Sequence, residues 1–210
     1  VFDLAGFGQI SQQVAGSGMI TSSSGTPVLV LGGTSGTDVT TNVTGSFAGV
    51  IAGSAAVTKV GLGTQTLSGA NQYTGATTAI AGTLVLSGSA SSTSGIAISG
   101  GTGTVLQVTN AAAAGSGLIS INTGATTPTV KFTIDGGGTI TLPNALGGNS
   151  GITTTFYVDN NGSGTNGVVL LNGSLANSSV GQVTYNVTGA NGYSLSIANL
   201  RATAGAAGNM

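Results

Sequence analysis

Residues Lys59 to Gly88 read KVGLGTQTLSGANQYTGATTAIAGTLVLSG. The stretch resolves into three short strands: Thr64 to Ser68 (TQTLS), Thr77 to Ala81 (TTAIA) and Thr83 to Ser87 (TLVLS). Within each, apolar and small polar residues alternate, the pattern of a strand with one buried face. Gly69-Ala70-Asn71 and Tyr73-Thr74-Gly75 read as the first corner and Gly82 as the second, because Gly and Asn tolerate the positive φ that such corners need. Nothing in the stretch combines a nucleophile, a base or a metal-ligand set, so it reads as architecture.

The composition around it agrees. The chain has 210 residues, 39 of them Gly, with three Lys or Arg and four Asp or Glu. High Gly with low charge can mean disorder, but disorder also requires low hydrophobicity and high net charge. Here 40% of residues are hydrophobic, mean hydropathy is +0.41 and the net charge is −1. Val, Ile, Leu and Ala set among Thr and Ser suit many short strands with tight corners. The cations Lys59, Lys131 and Arg201 are too scattered to neutralise a phosphate backbone, which argues against a nucleic-acid partner. No basic amphipathic stretch and no apolar run near ~20 residues is present, so membrane insertion by this segment is not expected. Without Cys there is neither a disulfide framework nor thiol chemistry. The first residue is Val rather than Met and no signal peptide is visible, which reads as a processed or excised piece of a longer precursor.

Strand-and-turn alternation continues on both sides. Strands are expected at Val1 to Ala5, Gln9 to Ala15, Gly18 to Thr21, Val28 to Leu31, Asp38 to Thr44, Phe47 to Ile51, Ile96 to Ser99 and Val105 to Thr109. Asn110 to Ala114 (NAAAA) reads as a small-residue corner rather than a helical turn, since Gly115 and Gly117 limit any helix. Later strands are expected at Leu118 to Ile121, Thr129 to Asp135, Thr139 to Leu142, Ile152 to Asp159, Val168 to Asn172, Gln182 to Thr188 and Tyr193 to Ala198.

Strands recurring every 8–12 residues with turn signals between them mean an all-β fold. A parallel β-helix (solenoid) is favoured, with a β-sandwich as the alternative. Strands are short, polar corners recur along the whole chain, and charge is nearly absent. Stacked coils align like residues at ~4.8 Å, where a column of like charges repels and columns of Thr, Ser and Asn hydrogen-bond. A coil of ~20 residues gives about ten coils and a body roughly 50 Å long. Its end edges must be capped, continued by more chain, or paired with another subunit. The expected organisation is one solenoid domain over 1–201, with 202–210 (ATAGAAGNM) as a small-residue tail or cut end.

The opening stretch also resembles the autotransporter-associated β-strand repeat of bacterial surface-protein passenger regions. The resemblance rests on Thr58-Lys59, Gly61, Gly63, Thr64, Leu67, Ser68-Gly69, Asn71, Tyr73-Thr74-Gly75, Thr77-Thr78, Ile80, Ala81-Gly82-Thr83-Leu84 and Gly88. Phe47 to Ser54 (FAGVIAGS) is similar to the usual lead-in, extending the repeat to 47–88. Gln65, Gln72 and Ala76 stand where the pattern more often has Leu, Thr and Gly. Weaker echoes lie at Phe2 to Thr21, Leu106 to Gly124 and Phe132 to Gly148, and fade from Phe156 onward. The resemblance implies a right-handed parallel β-helix, export to the extracellular space or the bacterial cell surface, and a structural or adhesive role. The C-terminal membrane barrel of autotransporters has no counterpart in this sequence.

Chemistry is thin. The chain has no His, Cys or Glu, which excludes the usual triads and zinc sites. Its acids are Asp3, Asp38, Asp135 and Asp159, well separated in sequence. A β-helix polysaccharide-cleaving enzyme would need two of them within ~5–10 Å, and nothing in the sequence pairs them, so no enzymatic activity and no cofactor is expected. One loop is calcium-like: Asp159, Asn161 and Ser163 offer oxygens at relative positions 1, 3 and 5, with Gly164 at 6. Position 12 is Leu170 rather than an acid, so a plain corner is the expectation. Glycine pairs such as Gly61/Gly63 lack the third Gly or following Lys of a phosphate cradle.

The expected function is therefore that of an extracellular structural β-solenoid, a segment of a stalk, layer or filament that stacks end to end on copies of itself or continues a larger surface protein. The alternative is an adhesin that binds a glycan or host surface.

Overall fold

A computed structural model describes residues 1–90, 94–122, 127–149, 151–177 and 183–201. Residues 202–210, read above as a tail, lie outside the described residues, as does Gln182.

The described residues wind through nine coils. The first holds β1 (Phe2–Asp3) and β2 (Gln9–Ser11); the second β3 (Met19–Thr21), β4 (Val28–Leu31) and β5 (Gly45–Phe47). The third holds β6 (Val50–Gly53), β7 (Ala56–Lys59) and β8 (Thr64–Leu67); the fourth β9 (Ala70–Tyr73), β10 (Thr77–Ala79) and β11 (Thr83–Leu86). The fifth holds β12 (Ser89–Ala90), β13 (Gly95–Ile98) and β14 (Val105–Val108). In the sixth a 3-10 helix, η1 (Ala111–Ala114), precedes β15 (Leu118–Ile121) and β16 (Thr129–Thr133). The seventh holds β17 (Gly138–Leu142), β18 (Leu146–Gly148) and β19 (Thr153–Asp159). β20 (Gly167–Asn177) and β21 (Thr184–Gly189) form the eighth, and β22 (Ser194–Arg201) the ninth.

Equivalent strands of successive coils pair in parallel, making three sheets. The first runs β1-β3-β6-β9-β12 and the third β5-β8-β11-β14-β16-β19-β21. The second runs from β2 through β4, β7, β10, β13, β15 and β18 to β20, and β22 pairs onto β20. β20 is long enough to lie along both β17 and β18, so near the far end the first and second faces merge. This is a parallel β-helix, and the sandwich alternative falls.

Every second side chain points inward, as the pleat requires. On the third sheet the register aligns Phe47, Leu67, Leu86, Val108, Phe132 and Val158 into one buried column. On the second, Leu29, Val57, Thr77, Ile96, Ile119 and Leu146 form another. The interior is these columns, and each coil buries its apolar residues only because a neighbour lies above or below.

Several details differ from the sequence-based expectation. The coil is not uniformly ~20 residues: Thr64 pairs with Thr83, but Met19 pairs with Val50. Residues 32–44 form a loop inserted between β4 and β5, so Asp38 to Thr44 is not a strand. Longer coils mean fewer of them, nine among the described residues against the ten expected. Ala70–Tyr73, read as a corner, is β9, with Asn71 and Tyr73 facing inward. Phe47 to Ile51 is not one strand but the end of β5 and the start of β6, with the corner at Ala48-Gly49. Asn110 to Ala114 is a helical turn. The Asn110 side chain accepts from Ala112 N at 3.0 Å, Ala113 and Ala114 are buried, and Gly115 at φ 60 ends it. Asn144 of the next coil holds the turn in place, its Nδ2 donating to the carbonyls of Ala114 and Gly117 at 3.2 and 2.8 Å.

Candidate functional site

The repeat residues cluster at the corners, where coils come closest. Gly18, Gly49, Gly69 and Gly88 stack one above another before the first sheet. A Cβ on Gly49, Gly69 or Gly88 would sit on the carbonyl oxygen of the glycine one coil below. A second column, Gly32, Gly61 and Gly82, has φ of 95°, 67° and 62°, the left-handed region that favours glycine. There a Cβ on Gly61 would strike the Gly32 carbonyl, and one on Gly82 the Gly61 carbonyl. Gly63 and Gly75 are held the same way over the backbones of Val43 and Ala55. The motif glycines are thus where the backbones of successive coils touch.

Lys59 is fully buried at the same corner as the second column. Its ammonium donates to the carbonyl oxygens of Val60, Gly61 and Ala81, the last two at 2.8 and 3.3 Å. Desolvation lowers its pKa from 10.5 to about 8. The interior polar residues of β9 are likewise matched: Asn71 Oδ1 accepts from Ile51 N at 3.1 Å, and the Tyr73 hydroxyl lies 2.6 Å from Thr77 Oγ1. Leu67 and Leu84 are core residues.

Each of the four carboxylates accepts at least one backbone N–H. Asp3 takes those of Ala5 and Ser23 at 2.9 and 3.0 Å. Asp38 binds the N–H and hydroxyl groups of Thr34, Thr40 and Thr41 at 2.6–3.0 Å. The Thr41 hydroxyl, followed by those N–H groups, holds it far below the usual carboxylate range. Asp135 takes the N–H groups of Asn161 and Ser163, both at 2.8 Å. Asp159 takes the Tyr157 hydroxyl at 2.7 Å, and Asn191 Nδ2 and its neighbour Asn160 N at 2.8 Å each. The Tyr157 hydroxyl, then Asn191, lowers its pKa.

In the calcium-like loop the structure places Asp159, Asn161 and Ser163 at one corner, engaged with protein partners. Asp159 turns to Tyr157 and Asn191, while Asn161 and Ser163 are tied through their backbones to Asp135 of the previous coil. Among the described residues no group of three His, Cys, Asp or Glu is placed to hold a metal ion.

The two ends of the coil stack are the remaining surfaces of note, and the sequence reading did not single out their residues. At the first coil a hollow of about 550 Å³ opens, lined by Phe2, Val14, Met19, Ile20, Leu29 and Phe47 among others. The large apolar side chains Val1, Phe2, Ile10 and Met19 are exposed there. At the far end Val187 continues the inward column over Phe156 yet is 52% exposed, and Leu195 and Ile197 continue those over Val169 and Leu171. The available signal was register: Phe2 at the inward position of β1, and Val187, Leu195 and Ile197 at those of the last coils.

The passenger-associated-transport-repeat family model matches residues 57–85 and 81–102, the stretch that holds Lys59 and the column glycines Gly61, Gly69, Gly82 and Gly88. This repeat is found in autotransporter passenger β-helix domains, extracellular domains exposed at the cell surface. No curated protein and no solved structure matches the chain.

Proposed function

We propose that this chain is a structural segment of a bacterial surface solenoid, serving as part of a stalk, layer or filament, and that its work is mechanical rather than catalytic. The observation that carries the reading is the use of the chain's polar groups. All four carboxylates and the buried ammonium of Lys59 are bonded to backbone groups at corners, and several of these bonds join one coil to another. Side chains so engaged are poorly placed to take up a substrate proton. Parallel ladders with glycine-tight corners also leave few frayed segments for a protease to enter.

The test is limited proteolysis with a broad-specificity protease, beside electron microscopy of the whole chain. A rod that stays intact long after an unstructured control has been digested is the expected result. Digestion at the control's rate would end the reading.

One outward strip favours a second reading, adhesion. The register stacks Gln107, Lys131 and Tyr157 on the outer face of the third sheet, with Lys131 Nζ 6.0 Å from the centre of the Tyr157 ring. An aromatic face beside polar side chains suits a sugar ring. Binding on a glycan array that is lost in Tyr157→Ala would support it.

A further inference from the structure

Building on the adhesion reading above, we infer that the outer face of the third sheet binds an acidic sugar, a hexuronate whose ring lies on Tyr157 and whose carboxylate meets the Lys131 ammonium.

Charge is the first observation. The chain has three cations. Lys59 is buried at its corner, and the side chain of Arg201 is outside the described ones. Lys131 stands at an outward, half-buried position of β16, between Gln107 of the coil below and Tyr157 of the coil above. The chain's own acids do not quench it. Each of the four is turned to N–H or hydroxyl groups, so among the described residues no carboxylate pairs with Lys131. Its Nζ lies 6.0 Å from the centre of the Tyr157 ring, the outer limit of cation–π attraction. The ammonium is held beside an aromatic face without being consumed by it.

The ring is fixed before any ligand arrives. The Tyr157 hydroxyl donates to Asp159 Oδ2 at 2.7 Å. That carboxylate is itself held by Asn191 Nδ2, from beyond β21, and by Asn160 N, both at 2.8 Å. An aromatic platform anchored at its polar tip has little freedom left to lose on binding. It offers its apolar face to the C–H side of a sugar ring.

Register sets the direction of the ligand. On the same face Thr129 pairs with Thr155 on one side of the Lys131–Tyr157 pair, and Thr133 pairs with Asp159 on the other. Asp159 therefore carries negative charge at the C-terminal ends of the strands. An anionic sugar group is repelled from that side and drawn to Lys131 and the hydroxyls of Thr129 and Thr155. A ligand with one charged edge and one neutral edge fits this asymmetry, and a uronic acid is such a ligand. Coils repeat at ~4.8 Å, so hydroxyls of a neighbouring sugar unit come within reach of Gln107 below or Thr188 above, in the same column.

Titration of the whole chain with tetragalacturonate and with its methyl ester, read by calorimetry and saturation-transfer NMR, tests this. The two probes share the ring and differ in charge. The acid should bind about fivefold more tightly than the ester, the worth of one exposed ion pair. Lys131→Gln should bring the two probes to equal affinity, and Lys131→Arg should keep the difference. Tyr157→Ala should weaken both about tenfold, as loss of a stacking face does. Acid and ester binding the wild type alike would overturn the inference while leaving adhesion standing, and so would a preference for the acid that persists in Lys131→Gln. If neither probe binds at millimolar concentration, this inference and the adhesion reading fall together and the structural reading is untouched. Should a variant fail to fold, the wild type decides: added NaCl must weaken binding of the acid and not of the ester, and an equal response of both sinks the inference.

Discussion

Gln65 Nε2 donates to the carbonyl oxygen of Val14 at 2.9 Å, from two coils above it. Its Oε1 also accepts from Val14 N at 3.4 Å. The side chain can reach so far because Gly45 lies between them; a Cβ there would meet both Gln65 Oε1 and the Val14 carbonyl. The repeat pattern more often has Leu at position 65. Here Gln ties down the side of the first coil that has no strand. Gln65→Leu is expected to leave both Val14 groups unpartnered, at about 1–3 kcal/mol. Hydrogen exchange should read the loss locally, with faster exchange at Gln13 to Ala15 and little change at Thr83 to Leu86. Unchanged exchange in the first coil would mean that the link does not hold it.

The glycine column makes a steric prediction. Gly69→Ala puts a methyl group on the Gly49 carbonyl, where only backbone can yield, and should destabilise the chain by ~3 kcal/mol, the upper end of overpacking. Gly101→Ala is the control: nothing lies within 4 Å of its Cβ position, so it should change stability little. Urea unfolding of the two variants separates close packing from a mere preference for small residues.

Lys59 predicts an alkaline gain in stability. Its folded pKa of about 8 lies below the ordinary 10.5, so the native state releases the proton first. Stability should then rise as pH climbs from about 8, by at most ~1.4 kcal/mol per pH unit. Above about pH 10 the buried Tyr73 works the other way, since burial raises its pKa and the unfolded chain ionises first. In Lys59→Met the rise between pH 8 and 10 should vanish. An identical slope in both proteins would show that another group titrates.

Asp38 governs the acid side. Its carboxylate is held far below the usual range, so its contribution is complete above pH ~4 and fades as pH falls toward the depressed value. Asp38→Ala should open the 32–44 loop at neutral pH. Proteolysis between Gly32 and Thr44, rapid in the variant and slow in the wild type, would report it. Equal rates would mean that the hydroxyl-rich loop folds without the acid.

The fold was legible because its signal is periodic. Thr64 to Leu67 and Thr83 to Leu86 alternate cleanly, and Gly82 marks the corner between β10 and β11. Ala70–Tyr73 was harder to read because its inward residues are Asn71 and Tyr73, which look like turn and surface residues until the partners Ile51 N and Thr77 Oγ1 are in place. Asp38 to Thr44 misled in the opposite way: Val and Thr imitate a strand while the Asp38 carboxylate gathers them into a loop. The end surfaces were invisible for another reason. Phe2 and Val187 have ordinary core identities, and only the absence of a described coil beyond them leaves them exposed.

The 3-10 turn of Ala111–Ala114 stands where the first face would otherwise place a strand between β12 and β17. Hydrogen-bonded continuity on that face is interrupted there, while the other two faces run through. A rod pulled along its axis is thus seamless on two sides and jointed on the third. On that face the coils before and after this joint meet through η1 rather than through a continuous strand ladder. The chain should therefore yield in two steps, the coils from β3 to β12 forming one cooperative block and those from β17 onward another.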